Sequence, residues 1–376
     1  MMTEAGQRVR VAIIIPSCSG GGVTKVMLSL YQAMTQQGAD VHLLVLENRG
    51  DFVLPDGLQV HYLYQSRQRR LDSRRRMARS VMDLQQLMAL LVATGGPFDL
   101  ILSNTSRCDR LVAACQWPHT HYVVHASLEE TLRREWRLGP IKYYRKWRWV
   151  KGLSGKSLIT VSEGIADEIR QQGRITPAAM QTIYNPFDLL HIRQLAASPQ
   201  PALPQEPYLI HIGRYARQKR HDVLFAALKL LPEAPRLVLL SNHPDKVLAA
   251  AEQAGVADRV LVPPFQQNPY PWIAHARALV LSSDFEGLPT VLIEALACGT
   301  PVVSTDCPTG PAEILTGALQ PFLVSRRDPV ALAAALKATL TAYPPCDSAE
   351  ILTKVAAEHI AGCYLALARL PDPGHQ

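Results

Sequence analysis

Long hydrophobic runs are absent from this sequence. The apolar stretch at residues 11–15 is much shorter than the about 20 residues that a membrane-spanning helix needs. It is also shorter than the apolar core of a secretory signal, and the ten residues at the start are largely polar or charged. The sequence therefore predicts a cytoplasmic protein.

The cysteines lack the spacing of a disulfide framework or a zinc site. Their number is odd, seven, and no two of them form a Cys-x-x-Cys pair. Zinc sites and small disulfide-rich domains both depend on such regular spacing. We therefore expect most of them to be buried apolar side chains: Cys18, Cys108, Cys115, Cys298, Cys307, Cys346 and Cys363.

Aromatic residues are few, at 6%, whereas hydrophobic residues make up 48% of the 376 residues. This composition is typical of a soluble globular protein. Because the length exceeds the usual size of one hydrophobic core, two domains are expected.

Basic residues are concentrated in two segments of the N-terminal half, although the net charge is only +7. Residues 67–79 contain one aspartate and seven arginines: Arg67, Arg69, Arg70, Arg74, Arg75, Arg76 and Arg79. Residues 133–151, from Arg133 to Lys151, contain one glutamate, eight basic residues and five aromatic ones: Trp136, Tyr143, Tyr144, Trp147 and Trp149. Such interleaving is typical of a surface that rests on an anionic membrane. A solvated helix with core-facing aromatics would have the same composition.

Short apolar segments alternate with amphipathic ones in both halves, as in parallel sheets covered by helices. Strand signals lie at residues 11–15, 41–46, 100–103, 121–125, 157–161, 208–212, 236–240, 260–262, 278–282 and 301–304. Helix signals lie at residues 23–37, 80–91, 163–171, 222–231, 245–254, 271–275, 289–297 and 329–342. We predict an α/β protein with two Rossmann-like domains at 1–186 and 208–348. A proline-rich linker at 187–207 would join them, and a C-terminal helix at 349–376 would cross back to the first domain.

A glycine loop, Gly20-Gly21-Gly22, follows the first predicted strand and precedes a helix. Glycines let backbone amides approach a ligand, and the start of a helix favours negative charge. The loop lacks the G-x-G-x-x-G spacing and an acidic residue about twenty positions further on, which argues against NAD binding. A plain tight turn between strand and helix is the alternative.

Four cations follow the strand signal at 208–212, in Gly213-Arg214-Tyr-Ala-Arg217-Gln-Lys219-Arg220. Ligands of open α/β sheets bind at the C-terminal ends of strands. Arg214 and Lys219 could therefore clamp a diphosphate, although a solvated charged loop would show the same residues.

The strongest signal is Glu286-Gly287-Leu288-Pro289-Thr290-Val291, followed by Glu294. Proline suits the first position of a helix, where its missing N–H is not needed. The free amides of Leu288, Thr290 and Val291 would then form an anion site. Two carboxylates, Glu286 in the loop and Glu294 about two turns into the helix, suit the hydroxyls of a sugar and a ribose beside a diphosphate.

This segment resembles the two-glutamate signature of retaining glycosyltransferases of family 4 (GT4), which have the GT-B fold of two Rossmann-like domains facing each other across a cleft. The glycine loop, Gly213-Arg214 with Lys219, Val161-Ser162-Glu163-Gly164 and Tyr184-Asn185-Pro186 match that family in order and spacing. Residues 306–314 resemble the variant found in bacterial enzymes that build lipopolysaccharide cores and lipid-linked oligosaccharides. The resemblance covers nearly the whole chain.

The resemblance implies a role for each matching residue. Arg214 and Lys219 would bind the donor diphosphate, Glu294 the ribose hydroxyls and Glu286 the transferred sugar. His125 would reach the donor sugar from the N-terminal domain. The implied donor-binding set is completed by Gly21, Gly22, Gly213, Gly287, Leu288, Pro289, Thr290 and Val291. The family's Gly-x-Gly turn is replaced by Ser241-Asn242-His243-Pro244, and Pro263-Pro264-Phe265 stands where a glycine is common near the nucleobase.

The resemblance also implies the reaction. A hexose or N-acetylhexosamine would pass from a nucleotide sugar, UDP by family habit, to a lipid-linked saccharide acceptor. The enzyme would be peripheral on the inner face of the cytoplasmic membrane. The sequence has no Asp-x-Asp, so no metal or other cofactor is expected, and cationic side chains would stabilise the leaving group. The alternatives are a sugar-nucleotide epimerase of the same fold and a basic nucleic-acid-binding protein, although no RRM, helix-turn-helix or zinc pattern is present.

Overall fold

The computed structural model describes residues 8–18, 22–49, 54–66, 71 and 76–368. They divide into two compact units, Met1–Phe187 with Val355–Gln376 and Asp188–Lys354. A parallel β-sheet lies at the centre of each unit, which confirms the prediction of two α/β domains.

Seven parallel strands form the sheet of the first unit, in the order β3-β2-β1-β4-β5-β6-β7. Their bounds are β1 Arg10–Ser17, β2 Asp40–Glu47, β3 Gln59–Tyr64, β4 Leu100–Asn104, β5 Thr120–Val124, β6 Ser157–Thr160 and β7 Ala179–Thr182. Residues 11–15 of β1 are fully buried. A continuous apolar run of this kind is expected for a parallel strand covered on both faces.

Six helices of the first unit connect these strands. They are α1 Gly22–Gln36, α2 Met77–Gly95, α3 Thr105–Cys115, α4 Leu128–Arg137, α5 Pro140–Lys151 and α6 Glu163–Gln172. Ser127 and Ser162 cap α4 and α6 by accepting hydrogen bonds from the amides of Glu130 and Ile165. Such caps satisfy amides that have no partner within the helix.

The second unit has a six-stranded parallel sheet in the order β10-β9-β8-β11-β12-β13. Its strands are β8 Tyr208–Ile212, β9 Arg236–Leu240, β10 Val260–Leu261, β11 Ala278–Leu281, β12 Val302–Thr305 and β13 Leu323–Val324. Its helices are α7 Leu189–Ala196, α8 His221–Lys229, α9 Pro244–Ala254, α10 Tyr270–Ala274, α11 Thr290–Ala297, α12 Pro311–Ile314, α13 Pro329–Thr341 and α14 Ile351–Lys354. Short 3₁₀ helices lie at Arg217–Lys219, Ala257–Arg259, Gly317–Phe322 and Cys346–Ser348.

The structure differs from the sequence expectation between and after the domains. The segment expected as a linker, 187–207, contains α7, whose Ile192 and Ala196 are buried and which packs against α10 and α11. Of the helix expected at 349–376, the described part, residues 349–368, contains two helices, α14 and α15 Ala357–Leu367. Only α15 belongs to the first unit, where it packs against α1. The buried side chains of α7, which the proline-rich composition of the segment does not reveal, thus place it in the second unit.

Besides α7, three strands and four helices carry too weak a sequence signal to be predicted, and one of these helices, α12, has only four residues. β3 and β7 are edge strands without fully buried residues, and β13 has two residues. Edge strands are half solvated and lack the apolar run that marks a central strand. α3, α4 and α5 are rich in polar and charged residues, so the few apolar residues that they bury do not form a clear helical pattern in the sequence.

Candidate active site

The strand order brings the predicted donor-site residues of the second unit to one point of its sheet. β8 lies between β9 and β11, so the order of connection reverses there and leaves a crevice outside the C-terminal ends of β8 and β11. Gly213 follows β8, and the loop that holds Glu286 follows β11. Such a reversal is where open α/β sheets bind their ligands.

Gly213 allows the side chain of Lys219 to pass close to the backbone. A Cβ atom at position 213 would lie 3.1 Å from Cε and 3.3 Å from Cδ of Lys219, and 3.4 Å from Nε2 of His211. The glycine thus makes room for the aliphatic part of Lys219 beside the end of β8.

Lys219 and Glu286 form an ion pair in this crevice. Nζ of Lys219 lies 2.8 Å from Oε1 of Glu286, and the two side chains are 16% and 12% exposed. Oγ of Ser283 donates to the same carboxylate oxygen at 2.5 Å. The sequence suggests separate roles for the lysine and the glutamate, whereas the structure joins them into one charge-compensated unit. An ammonium has three hydrogens, so Lys219 retains donors for a ligand.

A second loop, which contains Pro308 and Thr309, forms hydrogen bonds with the loop of Glu286. The amide of Glu286 donates to the carbonyl of Pro308 at 2.8 Å, and the amide of Thr309 donates to the carbonyl of Glu286 at 3.1 Å. Oγ1 of Thr309 donates to the carbonyl of Gly287 at 2.9 Å. Gly310 has φ +95°, and a Cβ there would lie 2.8 Å from Cδ of Pro289 and 3.0 Å from Cα of Leu288. These contacts fix the backbone that presents Glu286.

Helix α11 begins one residue later than predicted, with Pro289 as its N-cap. The amides of Thr290 and Val291 in the first turn have no acceptor within the helix, and both residues are partly exposed. Glu294 is the fifth residue of α11, just over one turn into the helix, and not two turns as expected, because a turn takes 3.6 residues. Together with burial, its carboxylate raises the pKa of Cys298 to about 12.

The four cations after β8 are not equivalent. Arg220 is held by Asp222 at 2.7 Å and Asp284 at 3.2 Å. Arg214 is exposed, and across the described parts of the chain its side chain has neither a hydrogen bond nor an ion pair. Of the two predicted donor ligands, Lys219 is paired with Glu286, whereas Arg214 is exposed.

Asp284 lies between arginines from different loops. Its carboxylate accepts from Arg327 at 2.9 and 3.0 Å and from Arg220 at 3.2 Å. Burial alone would raise its pKa, but the two guanidinium groups hold the pKa below its usual range. Arg326 donates to the carbonyl of the same residue at 3.0 Å.

In the first unit, His125 follows β5 directly, since the strand ends at Val124. Its Nε2 lies 2.8 Å from Oδ1 of Asn104, at the end of β4. Burial lowers the pKa of His125 to about 4, so the ring is neutral near pH 7. Gly22 is the first residue of α1, and a Cβ added there would meet no atom of the described residues within 4 Å, whereas Gly21 lies outside the described residues.

Helices α4 and α5 expose apolar and basic side chains together. Trp136, Leu138, Ile141 and Tyr144 are more than half exposed. Basic residues of the same two helices are also exposed: Arg133, Arg134, Arg137, Lys142, Arg145, Arg148 and Lys151. We call this set the α4–α5 surface. Much of the other predicted basic segment, residues 67–70 and 72–75, lies outside the described residues.

Not every aromatic residue of this segment belongs to the α4–α5 surface. Nε1 of Trp149 donates to Oδ2 of Asp109 at 2.9 Å, and Oγ of Ser103 donates to Oδ1 of that residue at 2.7 Å. Asp109 is 3% exposed, and burial raises its pKa to about 7. Trp149 therefore anchors α5 to the rest of the unit. Across the described residues, we find no helix with the length and apolarity needed to span a bilayer.

The sequence predicts no individual role for four residues of these sites: Ser283, Thr309, Gly310 and Asn104. They act through single hydrogen bonds or close backbone approach, which depend on partners far along the chain. No spacing rule identifies such contacts.

Comparison with protein families gives matches in both units. A family model described as "Glycosyltransferase Family 4" matches residues 20–190. A second model, described as "Glycosyl transferases group 1", matches residues 206–342. The two matches cover the second sheet, six of the seven strands of the first sheet and the candidate site residues of both units.

Similar proteins agree with these matches. The chain is 25% identical over 318 residues, 81% of this chain and 83% of the relative, to N-acetylgalactosamine-N,N'-diacetylbacillosaminyl-diphospho-undecaprenol 4-alpha-N-acetylgalactosaminyltransferase of Campylobacter jejuni. It is 30% identical over 167 residues, 42% of this chain and 45% of the relative, to lipopolysaccharide 1,6-galactosyltransferase of Escherichia coli. The solved structure of the lipopolysaccharide outer core galactosyltransferase WaaB superposes with a TM-score of 0.69 and 18% identity, covering 96% of this chain and 100% of that one.

Proposed function

Since this chain belongs to the GT4-type glycosyltransferases with the GT-B fold, we propose that it transfers a hexose or N-acetylhexosamine from a nucleotide sugar with retention of the anomeric configuration. The proposed donor nucleotide is UDP, and the acceptor is a lipid-linked saccharide, such as a lipopolysaccharide core or a polyprenyl-diphosphate oligosaccharide. The observation that carries the proposal is the Lys219–Glu286 pair, beside the start of α11 and at the strand-order reversal of the second sheet.

The residues around this pair fit the task of stabilising a departing diphosphate. Lys219 and the exposed Arg214 supply positive charge, and the first-turn amides of α11 supply aligned N–H dipoles. Fixed donors of this kind stabilise charge as it develops, without reorganising at the moment of reaction. Glu286 holds the ammonium in place and is itself held by the hydroxyl of Ser283, and the second carboxylate oxygen of Glu286 could accept from a sugar hydroxyl.

Glu294 is proposed to bind the ribose. A carboxylate accepts hydrogen bonds from vicinal hydroxyls, and Glu294 lies on the same helix whose first turn would meet the diphosphate. The proposed ribose ligand, Glu294, and the amides proposed to bind the diphosphate are thus one turn, about 5.4 Å, apart along α11.

Retention follows in this proposal from substitution on one face of the sugar. The bond between C1 and the phosphate oxygen breaks as the acceptor oxygen bonds C1 from the same side, and the acceptor proton passes to that phosphate oxygen. The nucleoside diphosphate leaves with the bonding electrons, and Lys219 and Arg214 stabilise its charge. No metal or other cofactor takes part.

A donor panel tests the proposed function. We expect purified protein to release UDP from one UDP-sugar at least about tenfold faster with a polyprenyl-diphosphate saccharide than without it, and to do so equally in EDTA, because side chains supply the positive charge. NMR of the product should show the anomeric configuration of the donor. Release or epimerisation without acceptor would contradict transfer, and restoration of activity by Mg²⁺ after EDTA would contradict metal independence.

We further propose that the α4–α5 surface holds the protein on the inner face of the cytoplasmic membrane. Exposed Trp136, Ile141 and Tyr144 would enter the interfacial region, while the exposed cations of the same two helices meet anionic headgroups. This places the protein beside a lipid-linked acceptor.

Charge reversal on this surface tests the membrane proposal. Each basic residue near an anionic leaflet contributes about 1 kcal/mol, so the triple substitution of Arg133, Arg134 and Arg137 to glutamate is expected to lower the vesicle partition coefficient at least about 100-fold. Flotation with vesicles containing phosphatidylglycerol measures this. The matched control reverses three exposed cations of the second unit, Arg236, Lys246 and Lys337. Equal losses in both triple variants, or no binding of the unaltered protein, would contradict the proposal.

A further inference from the structure

A fully buried asparagine lies behind the candidate histidine of the first unit. Asn104 ends β4 and is 0% exposed. Its Oδ1 lies 2.8 Å from Nε2 of His125, although the two residues are far apart in the sequence. β1 lies between β2 and β4, so this contact is next to the strand-order reversal of the first sheet, where ligands are expected.

Two carbonyl groups orient the amide of Asn104. Its Nδ2 lies 3.2 Å from the carbonyl oxygen of Ile14 and 3.3 Å from that of Leu102. Carbonyl oxygens only accept hydrogen bonds, so both partners require the NH₂ group on that side. Oδ1 is therefore turned towards His125.

The orientation of the amide determines the tautomer of the histidine. Oδ1 only accepts, so Nε2 of His125 must carry the hydrogen. A neutral imidazole then has its free lone pair on Nδ1. The low pKa of about 4, which follows from burial, keeps the ring neutral near pH 7. Among the residues that the structure describes, none forms a hydrogen bond with Nδ1 of His125.

We propose that Asn104 is a positioning residue that fixes His125 as the Nε2–H tautomer and thereby makes Nδ1 an acceptor for a hydroxyl group of a sugar substrate. The identity of the ligand rests on the proposed function, whereas the tautomer does not. A lone pair at this position accepts from a hydroxyl and repels a phosphate or carboxylate oxygen. The Asn104–His125 pair therefore favours a sugar with a free hydroxyl group, rather than an anionic substituent, at the position that meets His125.

Nitrogen NMR of the free protein tests the positioning step. With ¹⁵N-labelled histidine, and His125→Gln to identify the signals, we expect His125 to be Nε2–H at pH 7. In Asn104→Leu the preference should weaken to a mixture of tautomers. Ser103→Ala, which removes a buried hydrogen bond one residue earlier on β4, should leave the His125 signals unchanged. An Nδ1–H tautomer in the unaltered protein, or no change in a folded Asn104→Leu, would overturn the proposal.

The pH profile of transfer tests the consequence for catalysis. Protonation of the ring removes the Nδ1 lone pair, and the pKa of about 4 places this change well below neutral pH, so kcat/KM of the unaltered enzyme is expected to fall through loss of His125 only as the pH approaches about 4. In Asn104→Leu the Nδ1–H tautomer has no lone pair on Nδ1, so kcat/KM above this acidic limb should be lower than in the unaltered enzyme, in proportion to the fraction of that tautomer. A folded Asn104→Leu with the same kcat/KM profile as the unaltered enzyme would reject the role of Asn104.

The two measurements separate this inference from the proposed function. If no nucleotide sugar is transferred at all, the proposed function fails, while the NMR result still decides whether Asn104 positions His125. If transfer occurs but neither the tautomer nor the pH profile depends on Asn104, only the inference fails.

Discussion

Replacing Lys219 with alanine is expected to lower kcat/KM by about 10²–10³-fold, the usual effect of removing one donor that stabilises developing charge. The same change leaves Glu286 without its 2.8 Å partner, in a site where its side chain is 12% exposed. The remaining carboxylate would repel the incoming diphosphate. Steady-state kinetics with the donor identified in the panel measure the effect.

Two further substitutions of basic residues show whether the loss of kcat/KM in Lys219→Ala is specific to the proposed donor site. Lys337→Ala removes an exposed lysine on α13 of the same unit and should retain full activity. Arg214→Ala should also lower kcat/KM by orders of magnitude, because Arg214 is the second cation proposed to bind the diphosphate. Near-normal rates in Lys219→Ala or Arg214→Ala would refute the donor-site assignment.

Gly310→Ala is expected to lower kcat/KM by about 100-fold and to destabilise the second unit by about 2–4 kcal/mol. The added Cβ would meet Leu288 and Pro289 at 3.0 and 2.8 Å, and φ +95° is strained for any residue with a side chain. Overpacking alone costs about 1–3 kcal/mol. A shift of about 1 Å in the loop of Glu286 is enough for the loss of rate.

Gly317→Ala is the matched control for Gly310→Ala. Gly317 also has positive φ, +55°, but nothing lies within 4 Å of its added Cβ. It therefore tests backbone strain without steric contact. Thermal unfolding and transfer rates of both variants separate the two causes, and equal effects would show that the contact with the Glu286 loop is unimportant.

The central strands were predictable because burial on both faces leaves a clear apolar pattern. The bounds of β8 and β9 coincide with the sequence signals at 208–212 and 236–240. β3 fails this test because it is an edge strand and none of its six residues is fully buried. The helix α7 was hidden for a related reason, since the prolines around it suggested a linker while Ile192 and Ala196 provide its packing.

The residue types of the candidate site were predictable, but their pairing was not. Lys219 and Glu286 each stand in a recognisable motif, and 67 positions separate them. Only the strand order, with β8 next to β11, brings the two motifs together. The sequence likewise singles out His125 but not Asn104, because a buried asparagine at the end of a strand has no distinctive pattern.

Asp284 links three segments that follow three different strands: Arg220 after β8, Asp284 itself after β11, and Arg326 with Arg327 after β13. Loops that are far apart in the sequence therefore share the carboxylate of Asp284 as a hydrogen-bond partner. A substitution of Arg220, Asp284 or Arg327 leaves the charge of its partners less well compensated. These positions are therefore expected to change together during evolution. New donor preferences would then arise more readily at neighbouring side chains than at this junction.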